Sequence, residues 1–334
     1  MDIRKIAELT GFSKSTVSRA INDQPGIKTA TREKILKVIE DLNYSPNQVA
    51  RSLATRKTGL IGVIIPDVEN PFYSRIIKGI GDVLDNSGYN MIIINTFNHL
   101  VKEKNAIHIM AGKKVDGIIF SAVEKNTANI DLIIEAGIPS VSLDLEHDRY
   151  RQIDSVYSSQ YDTAYNAALY LSGCGHRNIY LIYPPVDINR KNSDFCRGFM
   201  TYMEEKGLYA GERNIIGCQP SIKDGYSIGM KLFGKGKVMP SAVLTADIIA
   251  YGLYRAAGES GIEIPGDISV FGNDDLDFSR ILRPGLTTTF QPKRQAGRIA
   301  ARLLINKING LYSSSRTVAM KPRIVIRGSV GACR

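Results

Sequence analysis

The stretch Ser13-Lys14-Ser15-Thr16-Val17-Ser18-Arg19-Ala20-Ile21-Asn22 decides the reading of this chain, because as a helix it separates into two faces. Val17, Ala20 and Ile21 fall together on one side, while Ser15, Ser18, Arg19 and Asn22 recur at i, i+3, i+4 and i+7 on the other. Short hydrogen-bonding side chains with one long guanidinium are the chemistry of a DNA major-groove reader. Upstream, Ile3, Ile6 and Ala7 mark the buried stripe of an earlier helix whose start can be set at Asp2. Thr10-Gly11-Phe12 then breaks the chain before Ser13 restarts it as an N-cap. Helix, tight glycine turn and second helix together spell a helix-turn-helix.

A third helix is expected next, capped by Thr29 or Thr31, with Ile35, Val38, Ile39 and Leu42 at the same spacing, so that three short helices share one small core. Charge agrees with the groove-reading face. Residues 1–57 carry eleven Lys and Arg against six Asp and Glu, a net of +5, so half of the chain's +10 sits in its first sixth. That is the electrostatic footprint of a polyanion binder.

The whole chain has room for more than one domain, with 334 residues, 43% of them hydrophobic and 23% charged. No apolar run approaches the roughly 18 residues that span a bilayer, and the polar N-terminus has no signal-like stretch. The expectation is a cytoplasmic protein with no membrane partner. Cys174, Cys196, Cys218 and Cys333 show no C-x-x-C spacing, and His99, His108, His147 and His176 do not cluster with them. No metal, disulfide or cofactor is expected, and the cysteines read as reduced small hydrophobes.

From residue 60 onward, apolar runs alternate with helical patterns. Residues 59–66 and 90–95 read as strands, with Ile76, Ile77, Ile80, Val83 and Leu84 in helical register between them. Further strands are expected near 116–121, 138–143, 178–183, 214–218, 241–245, 268–271, 286–290 and 323–327. Unbroken apolar strands with intervening helices indicate parallel sheets covered on both faces. So many strands exceed one comfortable sheet, which divides the body into two lobes with a first break near 156–161. The fold class is therefore α/β, a helix-turn-helix head followed by a two-lobed body of doubly wound parallel sheets. A cleft between lobes is the default small-molecule site.

Enzyme motifs fail. Gly229-Met-Lys-Leu-Phe-Gly-Lys235 has phosphate-loop spacing, but Gly236 replaces the required Ser or Thr and the stretch trails a helix, so it reads as a helix end. Gly79 and Gly81 lack the third glycine of a dinucleotide fingerprint. Asp274 and Asp275 follow the strand Ile268–Phe271 and suit hydrogen bonds to a ligand's hydroxyls better than acid–base work, because no nucleophile or base stands beside them. The chain is not expected to be an enzyme. A sugar-binding receptor and a cytosolic enzyme acting in the cleft are the competing readings, and neither explains the head.

Between head and body, Ser45-Pro46-Asn47-Gln48-Val49-Ala50-Arg51-Ser52-Leu53-Ala54 opens with a cap and a proline at the first helical position, then puts Val49 and Leu53 on one face. So short a helix is not stable alone in water and needs a partner: its copy in a dimer, DNA, or both. A segment that orders on DNA and loosens when the body changes shape would couple two sites.

Several motifs in order match one family. Ser13-x-x-Thr16-Val17-Ser18-Arg19-x-x-Asn22, Thr31–Ile35, Leu42-Asn43-Tyr44-x-Pro46-Asn47, Ala50–Leu53, Asn70–Tyr73 and Ile264-Pro265-x-Asp267–Val270 followed by Asp274-Asp275 are the matching residues. Over essentially its full length the chain resembles the LacI/GalR family of bacterial transcription regulators. The resemblance implies a repressor that binds a palindromic double-stranded DNA operator as a homodimer under control of a small-molecule effector, a sugar or sugar derivative. It implies that Lys14, Ser15 and Arg19 read bases and that Ser13, Thr16, Ser18, Asn22, Thr31, Tyr44 and Asn47 hold phosphates. Val49, Ala50 and Leu53 would form the minor-groove hinge, with Leu53 wedged into the centre of the operator.

The same resemblance implies a body like a periplasmic sugar-binding protein, crossed by three strands. The expected divisions are a head over 1–46, a hinge over 47–57, an N-lobe over 58–157 and 291–318, and a C-lobe over 158–290 and 319–334. Because the sequence stops at Gly331-Ala-Cys-Arg334 without a leucine heptad tail, a dimer is expected and not a tetramer. Tyr73, Asp144, Asp247 and Asp274 match cleft positions of the family. Phe195 stands where relatives often carry an effector-binding Arg, and Arg197 either compensates for it or faces solvent opposite Phe199 and Met203. Ala246, Pro220, Ser159 and Gln160 are further departures, and together they point to a neutral, hydroxyl-rich ligand.

Overall fold

The computed structural model describes residues 3–21, 25–42, 57–124, 128–145, 150, 152–184, 193–208, 214–234, 236 and 238–333. The chain forms two compact units, Met1–Gly59 and Leu60–Arg334.

In the first unit, α1 (Ile3–Thr10), α2 (Lys14–Ile21) and α3 (Thr29–Asp41) surround one small core. Its centre is Ile6, Val17, Ala20 and Ile35, none more than 3% exposed, ringed by Ile3, Ala7, Phe12, Ile21, Ile27, Val38 and Ile39. Burial of Ile6, Val17 and Ile35 contributes roughly 1.5–3 kcal/mol each, which is what holds three short helices that have little stability singly. Gly11, at φ +73°, makes the left-handed turn that ends α1. Ser13 then caps α2, its hydroxyl accepting from the Thr16 amide at 3.2 Å. The third helix differs from expectation at its start: Lys28 occupies the cap position, and no side-chain hydrogen bond is made there. Asn22, and the expected hinge helix with Tyr44, Asn47, Val49, Ala50 and Leu53, lie outside the described residues.

The second unit holds two six-stranded sheets. The chain runs β1 (Leu60–Ile65), α4 (Pro71–Leu84), β2 (Asn90–Asn95), α5 (Leu100–Gly112), β3 (Gly117–Phe120), α6 (Ala128–Glu135), β4 (Ser140–Ser142) and β5 (Asp154–Ser158). It continues through α7 (Gln160–Gly173), β6 (Ile179–Ile182), α8 (Asp194–Glu205), β7 (Ile215–Ile216), α9 (Ile222–Leu232), β8 (Ala242–Thr245), α10 (Asp247–Ser260) and β9 (Ser269–Asp274). After β10 (Thr287–Phe290) come α11 (Lys293–Ile308), β11 (Thr317–Met320) and β12 (Arg323–Val325). The first sheet has the order β11-β5-β4-β3-β1-β2, and the second β12-β10-β9-β8-β6-β7. Every described pairing is parallel except β10 with β12.

Both faces of both sheets are covered, which explains the unbroken apolar strands. On β1, Ile61, Val63 and Ile65 pack under α4 and α11, while Ile64 faces the opposite layer with Ile107 and Met110 of α5. In the second sheet, Leu181, Leu244 and Phe271 meet α7 and α8, and Val243 and Val270 meet α10. Among the described residues the chain passes between sheets three times, at residue 159, at 291–292 and at 321–322. Two first-sheet strands, β5 and β11, were not among the expected ones. They carry Ser158, Ala319 and Met320 in the first sheet, across the divisions expected at 157 and 318. The phosphate-loop lookalike is the end of α9, with Gly236 at φ +79° beyond it.

Candidate nucleic-acid interface and ligand cleft

On α2 the two faces are physically distinct. Val17 and Ala20 are buried, and Ser13, Lys14, Ser15 and Arg19 are exposed, with Thr16 and Ser18 half-buried at the margin. The Ser13 hydroxyl lies 2.7 Å from that of Ser15 and 2.9 Å from that of Thr16, so three hydroxyls gather at the N-terminus of α2. Unpaired helical amides and the positive end of the helix dipole favour an anion such as a phosphate there. Thr31, half-buried, sits in the first turn of α3. The described part of the expected interface is thus a cationic, hydroxyl-rich helix face fixed by its own buried side.

The body's polar centre gathers at the C-terminal ends of strands. After β3, Ser121 donates to Asp144 at 2.7 Å and lies 3.4 Å from the Tyr73 hydroxyl. Ser142 donates to the other Asp144 oxygen at 3.0 Å. After β6, Tyr183 stacks on Phe195 with ring centres 4.0 Å apart, and its hydroxyl accepts from Asn273 at 3.4 Å. At the end of β9, Asp274 is 8% exposed, accepts from Gln291 at 3.2 Å and lies 3.6 Å from the Lys293 ammonium, which also donates to the Asp274 carbonyl. Lys293 is itself buried and sits 5.0 Å over the Phe72 ring. A cavity of about 340 Å³ adjoins this cluster, lined among others by Arg75, Asp274, Gln291 and Lys293. Arg75 of α4 pairs with Asp277 beyond β9, tying the two lobes together at its edge.

Burial governs the protonation of these groups. It pushes Asp274 up to about 7 against the pull of the Lys293 ammonium, and it lowers Lys293 below its ordinary value against the pull of Asp274. Tyr73 and Tyr183 are held well above the usual phenol range by burial, with Asp274 adding to both, so they remain protonated donors. The backbone is strained here as well: Asp274 has φ +132° and Asp275 φ +49°, conformations that cost about 1–3 kcal/mol each outside glycine. Thr288 accepts from the Asp275 amide at 3.3 Å, and Arg327 donates to the Asp275 carboxylate at 2.6 Å, which holds the kink in place.

The structure brings Tyr73, Asp144, Phe195 and Asp274 into this cluster or its support. Asp247 is different. It is 0% exposed, and its oxygens accept from the Leu276 amide at 2.8 Å, Ser279 at 2.5 Å and Thr288 at 2.6 Å. Burial raises its pKa, while those three donors lower it. Asp247 therefore braces the β9 end from behind. Arg197 is exposed and pairs with Asp194 one turn back on α8, and none of its described contacts reaches the cluster. Ser121, Tyr183, Asn273, Gln291 and Lys293 were not singled out from sequence. Each ends or closely follows a strand, and ligand placement at the C-terminal ends of strands is the signal that would have found them.

Comparisons with known proteins agree with this geometry. The profile described as "Bacterial regulatory proteins, lacI family" matches residues 2–47, and "Periplasmic binding protein-like domain" matches residues 168–330. Catabolite control protein A of Priestia megaterium is 32% identical over 327 residues, covering 98% of each chain. The HTH-type transcriptional repressor PurR of Pasteurella multocida (strain Pm70) is 32% identical over 330 residues, again 98% of each. The lac repressor dimer bound to operator and the anti-inducer ONPF superposes with a TM-score of 0.86 at 27% identity, covering 99% of both chains.

Proposed function

The chain belongs to the LacI/GalR family of bacterial transcription regulators, and we propose that within it the protein works as a homodimer that reads a palindromic operator and answers to a small molecule held between its lobes. It is a DNA-binding repressor and not an enzyme. The observation that carries the reading is α2, where exposed Lys14, Ser15 and Arg19 lie opposite the buried Val17 and Ala20. Arg19 and Lys14 suit guanine, whose O6 and N7 accept from guanidinium or ammonium, and Ser15 serves either base edge. Ser13, Thr16, Ser18, Asn22, Thr31, Tyr44 and Asn47 hold phosphates and set the register. Val49, Ala50 and Leu53 form a hinge that wedges the minor groove once two copies meet. One head reads a half-site, so two-fold symmetry follows from a palindrome. The protein acts in the cytoplasm, where its DNA is.

The effector class follows from the cleft. Asp144 and Asp274 accept, Tyr73 and Tyr183 donate, and the Tyr183 ring, backed by the buried Phe195, offers an apolar face to the C–H side of a sugar. The cations lining the cavity are already paired, Lys293 with Asp274, Arg75 with Asp277, and Arg294 and Arg298 with Asp82, which favours a neutral, hydroxyl-rich ligand over a phosphorylated one. Thermal-shift titration of the full chain against neutral sugars, sugar phosphates and nucleobases tests this. A ligand at a hundred times its dissociation constant adds about 2.7 kcal/mol. The reading expects neutral sugars to stabilise the chain and Asp274→Ala to abolish the effect. Stabilisation by phosphorylated compounds alone would contradict it. Sedimentation on an operator duplex should give two chains per duplex; one chain would contradict the dimer.

A further inference from the structure

A second cavity in the body, about 360 Å³, shares no lining residue with the first. It lies between α7 and the β10–β12 edge of the second sheet, with Leu169, Tyr170 and Ile324 as apolar walls and Asn166, Thr289 and Arg323 as polar ones. Thr289 is the informative residue. It is 3% exposed, and its hydroxyl has no hydrogen-bond partner among the described residues. Its neighbours on β10 are fully used: the Thr287 hydroxyl accepts from the Arg327 amide at 2.9 Å, and Thr288 donates to Asp247 at 2.6 Å. A buried hydroxyl left unpaired is unfavourable, and a ligand oxygen in the cavity relieves it.

Arg323 supplies the charge. It is exposed, and its guanidinium carbon lies 4.9 Å from the centre of the Phe290 ring, a contact that leaves its N–H groups for an acceptor. Among the described residues no acidic side chain lines the cavity, and the positive charge has no partner there. The volume falls near the lower end of ligand pockets, roughly 300–1,000 Å³. We propose that this cavity is a second small-molecule site that takes a small organic carboxylate, its anionic end on Arg323, an oxygen on Thr289 and its apolar body against Leu169, Tyr170 and Ile324. The site sits beside two of the crossings between the lobes, because Thr289 precedes 291–292 and Arg323 follows 321–322.

The test uses the full chain and 4-fluorophenylacetate, followed by fluorine NMR, with 4-fluorophenylacetamide as the neutral isostere. Binding should saturate for the carboxylate, weaken at least tenfold for the amide and in Arg323→Gln, and weaken several-fold in Thr289→Val. It should persist in Asp274→Asn, which alters the first cavity. Arg323 is exposed and Thr289→Val keeps the side chain's shape within β10, and circular dichroism confirms the fold of both variants. Absence of saturation, an amide that binds as well as the acid, binding unchanged in both site variants, or binding lost in Asp274→Asn would each overturn the proposal.

Discussion

Two glycines of α4, Gly79 and Gly81, should respond in opposite ways to the same substitution. A Cβ at Gly79 would lie 2.1 Å from the Arg294 carbonyl oxygen, and on the facing helix a Cβ at Gly297 would lie 2.2 Å from the Ile76 carbonyl oxygen. Helices α4 and α11 therefore touch backbone to backbone, and the obstacle is a carbonyl that cannot swing aside. Overpacking of this kind costs about 1–3 kcal/mol, with Gly79→Ala at the upper end, and alanine returns about 0.8–1 kcal/mol of helix propensity. The net is about 2 kcal/mol of destabilisation. At Gly81 the nearest atom to a new Cβ is the Met91 methyl at 4.0 Å, so only the propensity gain remains and Gly81→Ala stabilises by about 0.5–1 kcal/mol. Urea unfolding followed by tyrosine emission reads the body selectively, because the chain has no tryptophan and only Tyr44 of its 16 tyrosines precedes residue 60. With a slope of about 3 kcal/mol per molar, the midpoint should fall by roughly 0.7 M for Gly79→Ala and rise by roughly 0.2–0.3 M for Gly81→Ala. A Gly79→Ala midpoint equal to that of the parent, or a Gly81→Ala loss of the same size, would refute the close-packing argument.

Three further outcomes follow from the cleft. Asp247→Ala strands the Leu276 amide and the Ser279 and Thr288 hydroxyls, and should cost about 2–4 kcal/mol in the same unfolding assay; a loss below 1 kcal/mol would mean that water replaces the carboxylate at no cost. Burial lifts Asp274 from 3.8 to about 7, so the folded chain keeps a proton that the unfolded chain releases between those values. Stability from this group must then fall as pH rises from about 4 to about 7 and level off above, and Asp274→Asn should remove that part of the slope; parallel pH profiles for the two proteins would count against the assignment. The Arg75–Asp277 pair joins side chains that are 41% and 60% exposed, so Arg75→Ala should change stability by less than about 1 kcal/mol, and a larger loss by urea titration would show that the lobe contact is structural.

Legibility in the sequence tracked how local each cause was. The faces of α2, the stripe of α3 and the apolar strands β1 to β3 rest on side chains a few residues apart, and periodicity alone exposes them. Strand β5 did not show because Asp154-Ser-Val-Tyr-Ser158 has no apolar run. Its buried Asp154 is satisfied from far along the chain, by the Tyr312 hydroxyl at 2.6 Å, Lys307 at 3.3 Å and the Arg316 amide at 2.9 Å. Strand β11 pairs at the sheet edge with that same β5, so each depends on the other and neither carries a local signal. The family resemblance placed Asp247 near the cleft, yet its role as a brace depends on donors 29, 32 and 41 residues away. A lysine opening a helix is ordinarily a surface residue, and only the tertiary fold buries Lys293 against Asp274 and Phe72. Arg197 finds its described partner locally, in Asp194 one turn before it.

The central claim is that the exposed face of α2 selects a two-fold DNA sequence through Arg19 and its neighbours. In vitro selection of the full chain against a randomised duplex pool tests it most directly, with Arg19→Ala carried in parallel at one fixed salt concentration, since phosphate contacts make affinity salt-dependent. The account predicts that the parent enriches a palindrome with a guanine in each half-site. It also predicts that Arg19→Ala loses about 1–3 kcal/mol on the selected duplex and relaxes the preference at that base, while its binding to unrelated DNA changes little. Enrichment of no common sequence, or an Arg19→Ala protein that selects the same bases with the same affinity, would contradict it.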